Sequence, residues 1–316
     1  MKIERILLAT DFSSWARRAE DYACSLASLW HARLTIMTVL ELAPGMNPDY
    51  PVNHQYLTER MREASEQLTE CKRRIELRGI FVTTRIGTGL PSEEVVAAAQ
   101  AEDSDLVVLG TRGKSGLAHV LLGSTAERTI RTAPCPVLAV HLTATEGSAP
   151  QTGVRLERIL VPIDFFDGSL DALEYAALLA RQTKASVKLL HVLEPVSYGL
   201  DFTLGRTEER ERKRERLTKR LDELSAALTA AGISTTSLVR GGIPGDTILD
   251  EARTWPSDLL VMGTHGRRGI SHVLSGSIAE AVLRRAQCPV LTVRSPKFHP
   301  SHQRLTRKSA LAGENP

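Results

Sequence analysis

The chain has 316 residues, of which 42% are hydrophobic, 24% charged and 4% aromatic. That length suits about two domains of roughly 150 residues, and the composition is that of a globular protein able to bury sizeable cores. Wholesale disorder is excluded, and so is a bilayer-spanning helix, because no run of about 18 apolar residues occurs. The 40 Lys and Arg against 37 Asp and Glu leave a net charge of +3, too small and too evenly spread to argue for nucleic acid as a partner.

In chain order, short apolar runs alternate with longer amphipathic ones. The opening segment, MKIERILLATDF, is too quickly charged for a secretory signal, so the cytoplasm is the expected address. Strands are expected over residues 3–10, 34–40, 80–86, 105–110 and 136–141, with helices over 14–30, about 55–78, 92–102 and 124–132. The segment after residue 142 is small and polar, as linkers are. The same order of elements then repeats. Strands such as VKLLHVL and DLLVMG are apolar on both faces, the pattern of buried parallel strands. Strand–helix alternation gives an α/β layered fold. Within the second half, Glu208–Arg220 is a charge run that reads as a solvated helix face. The segment 296–316 is polar and aperiodic and reads as a disordered tail. Cys24, Cys71, Cys135 and Cys288 show neither CxxC nor metal-ligand spacing, and read as reduced, mostly buried thiols.

The halves are copies of one another. A constant shift of 153 positions carries Glu4-Arg-Ile-Leu7 onto Glu157-Arg-Ile-Leu160, and Asp11-Phe12 onto Asp164-Phe165. It also carries Cys135-Pro-Val-Leu138 onto Cys288-Pro-Val-Leu291. A period of this length is a domain duplication. The expected organisation is domain 1 over residues 1–142, a linker over 143–155, domain 2 over 156–295, and the tail.

After the fourth strand of each half comes G-x2-G-x9-G-S. In the first half this is Gly110-Thr111-Arg112-Gly113 … Gly123-Ser124-Thr125, and in the second Gly263-Thr264-His265-Gly266 … Gly276-Ser277-Ile278. Glycines let backbone approach a ligand closely, successive N–H groups form anion concavities, and a helix start attracts phosphate. Lys114 and Arg267 add charge within the loops. The serines also open S-x-x-E capping boxes, Ser124 to Glu127 and Ser277 to Glu280, so a helix-capping role stands beside the phosphate one. Neither a Walker A loop nor a dinucleotide G-x-G-x-x-G is present.

Asp11 and Asp164 follow the first strand of each half. A carboxylate there accepts hydrogen bonds from a ribose or a base amine, or caps the next helix. Val39 and Val192 end the second strands, where their backbone groups can read a base edge.

With these motifs in duplicate, the chain resembles the universal stress protein family in its tandem two-domain form, and specifically its nucleotide-binding branch. The resemblance implies two Rossmann-like domains, each a five-stranded parallel sheet of order 3-2-1-4-5 with helices on both faces. It implies ATP as ligand, with or without Mg2+. The implied site in domain 1 comprises Ala9, Asp11, Val39, Gly110, Thr111, Arg112, Gly113, Gly123, Ser124 and Thr125. In domain 2 it comprises Pro162, Asp164, Val192, Gly263, Thr264, His265, Gly266, Gly276, Ser277 and Ile278. It further implies internal pairing of the two domains, a possible homodimer, and an output through a regulatory protein partner. Trp15 and Arg17 crowd the first site, and Ile278 removes the hydroxyl that Thr125 supplies, so unequal sites are expected. A slow ATP hydrolase or phosphotransferase is an alternative, for which His119 and His272 are the only nameable proton-transfer groups; a nucleotide-free dimerisation scaffold is another.

Overall fold

The computed structural model describes residues 3–41, 51–112, 122–141, 154, 156–194, 205–264 and 277–294. The expected linker and tail therefore fall almost wholly outside the described residues. The chain divides into two compact units, principally Lys2–Val154 and Arg155–Val293.

In the first unit the elements are β1 (Arg5–Ala9), α1 (Ser14–Trp30), β2 (Arg33–Leu40), α2 (Pro51–Glu76), β3 (Val82–Thr88), α3 (Pro91–Ala101), β4 (Leu106–Gly110), α4 (Ser124–Thr132) and β5 (Val137–Val140). The strands pair in the order β3-β2-β1-β4-β5, every pairing parallel. The second unit repeats this with β6 (Arg158–Pro162), α5 (Asp167–Thr183), β7 (Ser186–Leu193), α6 (Gly205–Ala230), β8 (Thr235–Gly241), α7 (Pro244–Thr254), β9 (Leu259–Gly263), α8 (Ser277–Arg285) and β10 (Val290–Val293), ordered β8-β7-β6-β9-β10. Both sheets are α/β, Rossmann-like and of the expected order. Right-handed crossovers place the first two helices of each unit on one face and the last two on the other.

Parallel strands covered on both faces must be apolar throughout, and these are. Leu7, Leu8, Leu34, Ile36, Met37, Val107 and Val108 are essentially inaccessible to solvent, as are Leu160, Val161, Leu189 and Leu260. Burial of each such side chain contributes about 1.5–3 kcal/mol. At the N-terminal edge, one carboxylate stitches each central pair of strands. Asp105 Oδ2 accepts the N–H groups of Glu4 and Arg5 at 2.9 and 3.0 Å, and Asp258 Oδ2 those of Glu157 and Arg158, both at 2.9 Å. The fourth strand accordingly begins at Leu106, one residue after the expected start. No helix among the described residues is long and apolar enough to cross a membrane.

The two units differ where α1 meets α2. Glu20, buried in domain 1, receives Arg74 at 2.7 Å on Oε1 and 2.8 Å on Oε2, while the Cys71 thiol donates to Oε2 at 3.0 Å. The corresponding residues of domain 2 are Leu173, Leu224 and Ala227, all apolar, with both leucines buried. Breaking a buried pair strands a charge, whereas replacing the whole cluster by packed apolar groups is often neutral or stabilising. Glu20→Ala should therefore destabilise the protein by about 1–3 kcal/mol, and the triple change Glu20→Leu, Cys71→Leu, Arg74→Ala should recover that loss, both read from urea unfolding.

All four cysteines are buried, and none forms a disulfide. Burial pushes the Cys24 and Cys288 thiols up to about 12, and burial together with the bond to Glu20 does the same for Cys71. The folded protein therefore keeps these protons while the unfolded chain releases them above about 9. Since the unfolded state then binds fewer protons, stability should fall as pH rises past 9, by about 1.4 kcal/mol per unit for each thiol. Denaturant midpoints between pH 8 and 10.5, compared with a Cys24→Ala, Cys288→Ala variant, check this. A slope that the variant leaves unchanged would refute it.

Candidate functional site

The strand order reverses direction between β1 and β4 in domain 1 and between β6 and β9 in domain 2. Ligands of open α/β sheets lodge beyond the C-terminal strand ends at such a point. Register sets what stands there. Ala9 pairs with Met37 on one side and Leu109 on the other. Two residues further on, Asp11, Val39 and Thr111 are brought level at the edge. In domain 2, Pro162 pairs with Leu190, which brings Asp164 level with Val192. Backbone bonds carry the alignment past the last strand residues: Thr10 N–H to Met37 O at 2.8 Å, Ile163 N–H to Leu190 O at 2.8 Å, and Thr111 N–H to Val140 O at 3.0 Å.

Each aspartate closes a tight turn. Asp11 Oδ1 accepts the Ser13 N–H at 3.0 Å, and Asp164 Oδ1 accepts the Phe166 N–H at 3.0 Å. The residue between is left-handed in both cases, Phe12 at φ 63° and Phe165 at φ 66°. A bulky side chain at positive φ is strained, and such strain clusters at ligand clamps. The capping role considered for Asp11 falls to Ser13, whose Oγ accepts the Ala16 N–H at 3.2 Å. In domain 2 the cap position is Phe166, which offers no side-chain acceptor. There Ser169 Oγ ties the turn instead, donating to Phe166 O at 3.0 Å and accepting the Asp164 N–H at 3.3 Å.

The glycines at the strand ends have a packing reason of their own. A Cβ on Gly110 would stand 2.9 Å from the Trp15 carbonyl carbon, and one on Gly263 would stand 2.5 Å from that of Gly168. The first turn of α1 or α5 thus passes directly over the end of the fourth strand. Trp15 is half-buried there, and its ring carries the Arg112 guanidinium 4.9 Å from the ring centre.

The far side of the edge is a helix start. Gly123 N–H bonds Thr111 O at 2.8 Å, returning the chain to the strand end it left. Gly123 is also the cap residue of α4 and supplies no side-chain acceptor, while Ser124 stands in the first turn, exposed. The capping-box reading of Ser124 is thus not realised: its hydroxyl makes no hydrogen bond among the described residues. Nearby, the Thr111 hydroxyl is fully buried and has no hydrogen-bond partner among the described residues. A helix N-terminus with unspent N–H groups, an idle hydroxyl and an orphaned buried hydroxyl together suit an anionic ligand. In domain 2, Thr264 is buried, α8 begins at Ser277, and Ile278 is partly exposed where domain 1 has Thr125. Phe166, also exposed, stands where domain 1 has Ser13.

Gly113, His265, Gly266 and Gly276 lie outside the described residues, as do Lys114, Arg267, His119, His272 and the Ser277 side chain. Among the described residues no group of three or more His, Cys, Asp or Glu is placed to hold a metal ion.

Comparison with known proteins gives the chain its relatives. The universal stress protein family model matches twice, over residues 2–141 and 155–294. A universal stress protein of Methanocaldococcus jannaschii is 33% identical over 138 residues, covering 43% of this chain and 81% of its own length. One from Mycolicibacterium smegmatis is 29% identical over 298 residues, covering 92% of this chain and 96% of its own. The crystal structure of a universal stress protein from Archaeoglobus fulgidus superimposes with a TM-score of 0.70 at 24% identity, covering 94% of this chain and 98% of that one; at that identity the likeness speaks for the fold.

The packing above the strand ends makes a graded prediction. Gly110→Ala and Gly263→Ala both force backbone apart, at a cost of about 1–3 kcal/mol. Gly263→Ala should cost more, because its Cβ meets backbone atoms at 2.5 and 2.6 Å rather than 2.9 and 3.0 Å. Urea midpoints of the two variants decide the order; equal or reversed costs would contradict the geometry.

Proposed function

This chain belongs to the universal stress protein family, and we propose that it binds ATP at the C-terminal edge of each domain and works as a nucleotide-responsive regulatory module. The observation that carries the reading is the duplicated edge. In each domain an aspartate-closed turn and a strand-end glycine stand at the reversal of strand order, and G-x2-G-x9-G-S leads from that glycine to a helix start.

The parts divide the work. Asp11 and Asp164, with the backbone of Val39 and Val192, suit the base and ribose, since they stand at the ends of the first two strands. Thr111, Ser124 and Thr125, with the first turn of α4, suit the phosphates. Gly113 and Gly266, within the joining loops, would let backbone N–H groups close on phosphate oxygens. Any Mg2+ would enter with the nucleotide, because the described residues supply no cluster of their own to hold it. Binding by itself does not signal; ATP must favour one conformation or assembly over another. The output is then contact with a regulatory protein partner. The four buried thiols, none in a disulfide, suit a reducing compartment, and we place the protein in the cytoplasm on that ground.

The test is nucleotide stoichiometry. Protein purified without added nucleotide is denatured, its released nucleotide quantified, and the emptied protein titrated with ATP. Two ATP per chain are expected, falling to one in Gly113→Val or Gly266→Val and to none in the double variant, with the folded state retained. Full binding by the double variant would overturn the site assignment, and an emptied chain that takes up no ATP would overturn the reading.

A further inference from the structure

Two arginines stand over aromatic rings at the strand-end edges, one in each domain. In domain 1 it is Arg112 on Trp15, the second residue after β4 and within the glycine motif. In domain 2 it is Arg220, which belongs to α6 and to no motif; its guanidinium carbon stands 4.4 Å from the centre of the Phe165 ring. Phe165 is the left-handed residue directly after Asp164. The same ring meets His191 at 5.2 Å, and His191 is buried with its Nδ1 2.7 Å from Ile163 O. Phe165 is thus held in place by His191 while Arg220 covers it from an exposed helix position.

Arg220 stands apart from its neighbours on α6. Among the described residues it makes no ion pair and no hydrogen bond, so the five donors of its guanidinium are unspent. Domain 1 has no counterpart, since the corresponding position is Gln67. Arg112 comes from the loop beyond the fourth strand, whereas Arg220 comes from the helix that follows β7.

We propose that Arg220 is an anion-gripping residue of the domain 2 ligand edge, resting on Phe165 until a phosphorylated nucleotide takes its guanidinium from the ring. This rests on the nucleotide reading above. The exchange is favourable because an exposed cation–π contact is weak, while a guanidinium–phosphate pair is charge-assisted and bidentate. Domain 2 thereby gains from α6 an anion contact at the edge where Ile278 replaces the threonine hydroxyl of domain 1.

The experiment uses the full chain carrying Gly113→Val, so that domain 2 alone binds, titrated calorimetrically with ATP, AMP and adenosine. Adding Arg220→Ala should weaken ATP about tenfold and leave adenosine within about twofold. Arg220→Lys should restore part of the ATP affinity, because an ammonium keeps the charge and loses the fork. Unchanged ATP affinity in Arg220→Ala overturns the inference, as does an equal loss for ATP and adenosine, which would make Arg220 a packing residue. If the Gly113→Val parent binds no ATP, the nucleotide reading of domain 2 fails first, and that outcome is distinct from the others.

Discussion

The ligand edge of each domain depends on one register. Ala9 is level with Met37 and Leu109 because three parallel strands, apolar on both faces, admit no sliding without exposing a buried side chain or orphaning a backbone pair. Once that alignment is set, Asp11, Val39 and Thr111 have no choice but to stand together two residues later. The glycine that ends β4 follows from the same constraint. The helix returning from β1 must cross the neighbouring strand end closely, and a Cβ at Gly110 would occupy the place of Trp15 backbone. A ligand-side role for Gly110 therefore adds to a packing role that is already sufficient to demand glycine.

The duplication separates what this fold requires from what it merely tolerates. Both copies retain the N-terminal stitching carboxylate, the aspartate turn with its left-handed phenylalanine, and the glycine under the first helix. They part company in the α1–α2 and α5–α6 contacts. One copy buries a glutamate gripped by arginine and cysteine, and the other buries leucines. The same positions hold an ion pair in one copy and apolar side chains in the other, which argues that the buried charge is one solution to packing and not a condition of the fold. The turn capping diverges as well: Ser13 caps α1 through its own side chain, while Ser169 ties the second turn from within α5. The geometry of the edge is thus held by different bonds in the two copies.

Much of this is legible in the residues alone, because periodicity and duplication act along the chain. The bounds of α1 and α4 coincide with the expected helices, and the strand order follows from the resemblance. What escaped is local turn chemistry and contact between distant segments. Asp11, considered as a helix cap, instead closes the turn that delivers Ser13 to the cap, a distinction two residues wide that composition does not resolve. Ser124 matches a capping box, yet the chain caps α4 with the backbone of Gly123 one residue earlier, leaving the hydroxyl idle. Gly110 signals backbone freedom in sequence, but the helix above it becomes visible only in three dimensions.

Arg220 is the sharpest case of that limit. In sequence it closes a run of alternating charges, and most of that run is indeed an exposed helix face. Nothing along the chain separates it from Arg216 or Lys219. Only the crossover does: α6 returns beside β7, whose parallel pairing with β6 brings the helix within reach of a ring 55 positions earlier in the chain. A guanidinium without a carboxylate, on an aromatic ring beside a turn aspartate, is a different object from a solvated surface charge. Under the proposed function, the two domains share the scaffold of an anion site while drawing the cation beside it from different elements. Duplicated sites can diverge in this way without disturbing the register beneath them, because side chains on a covering helix vary more freely than strand ends.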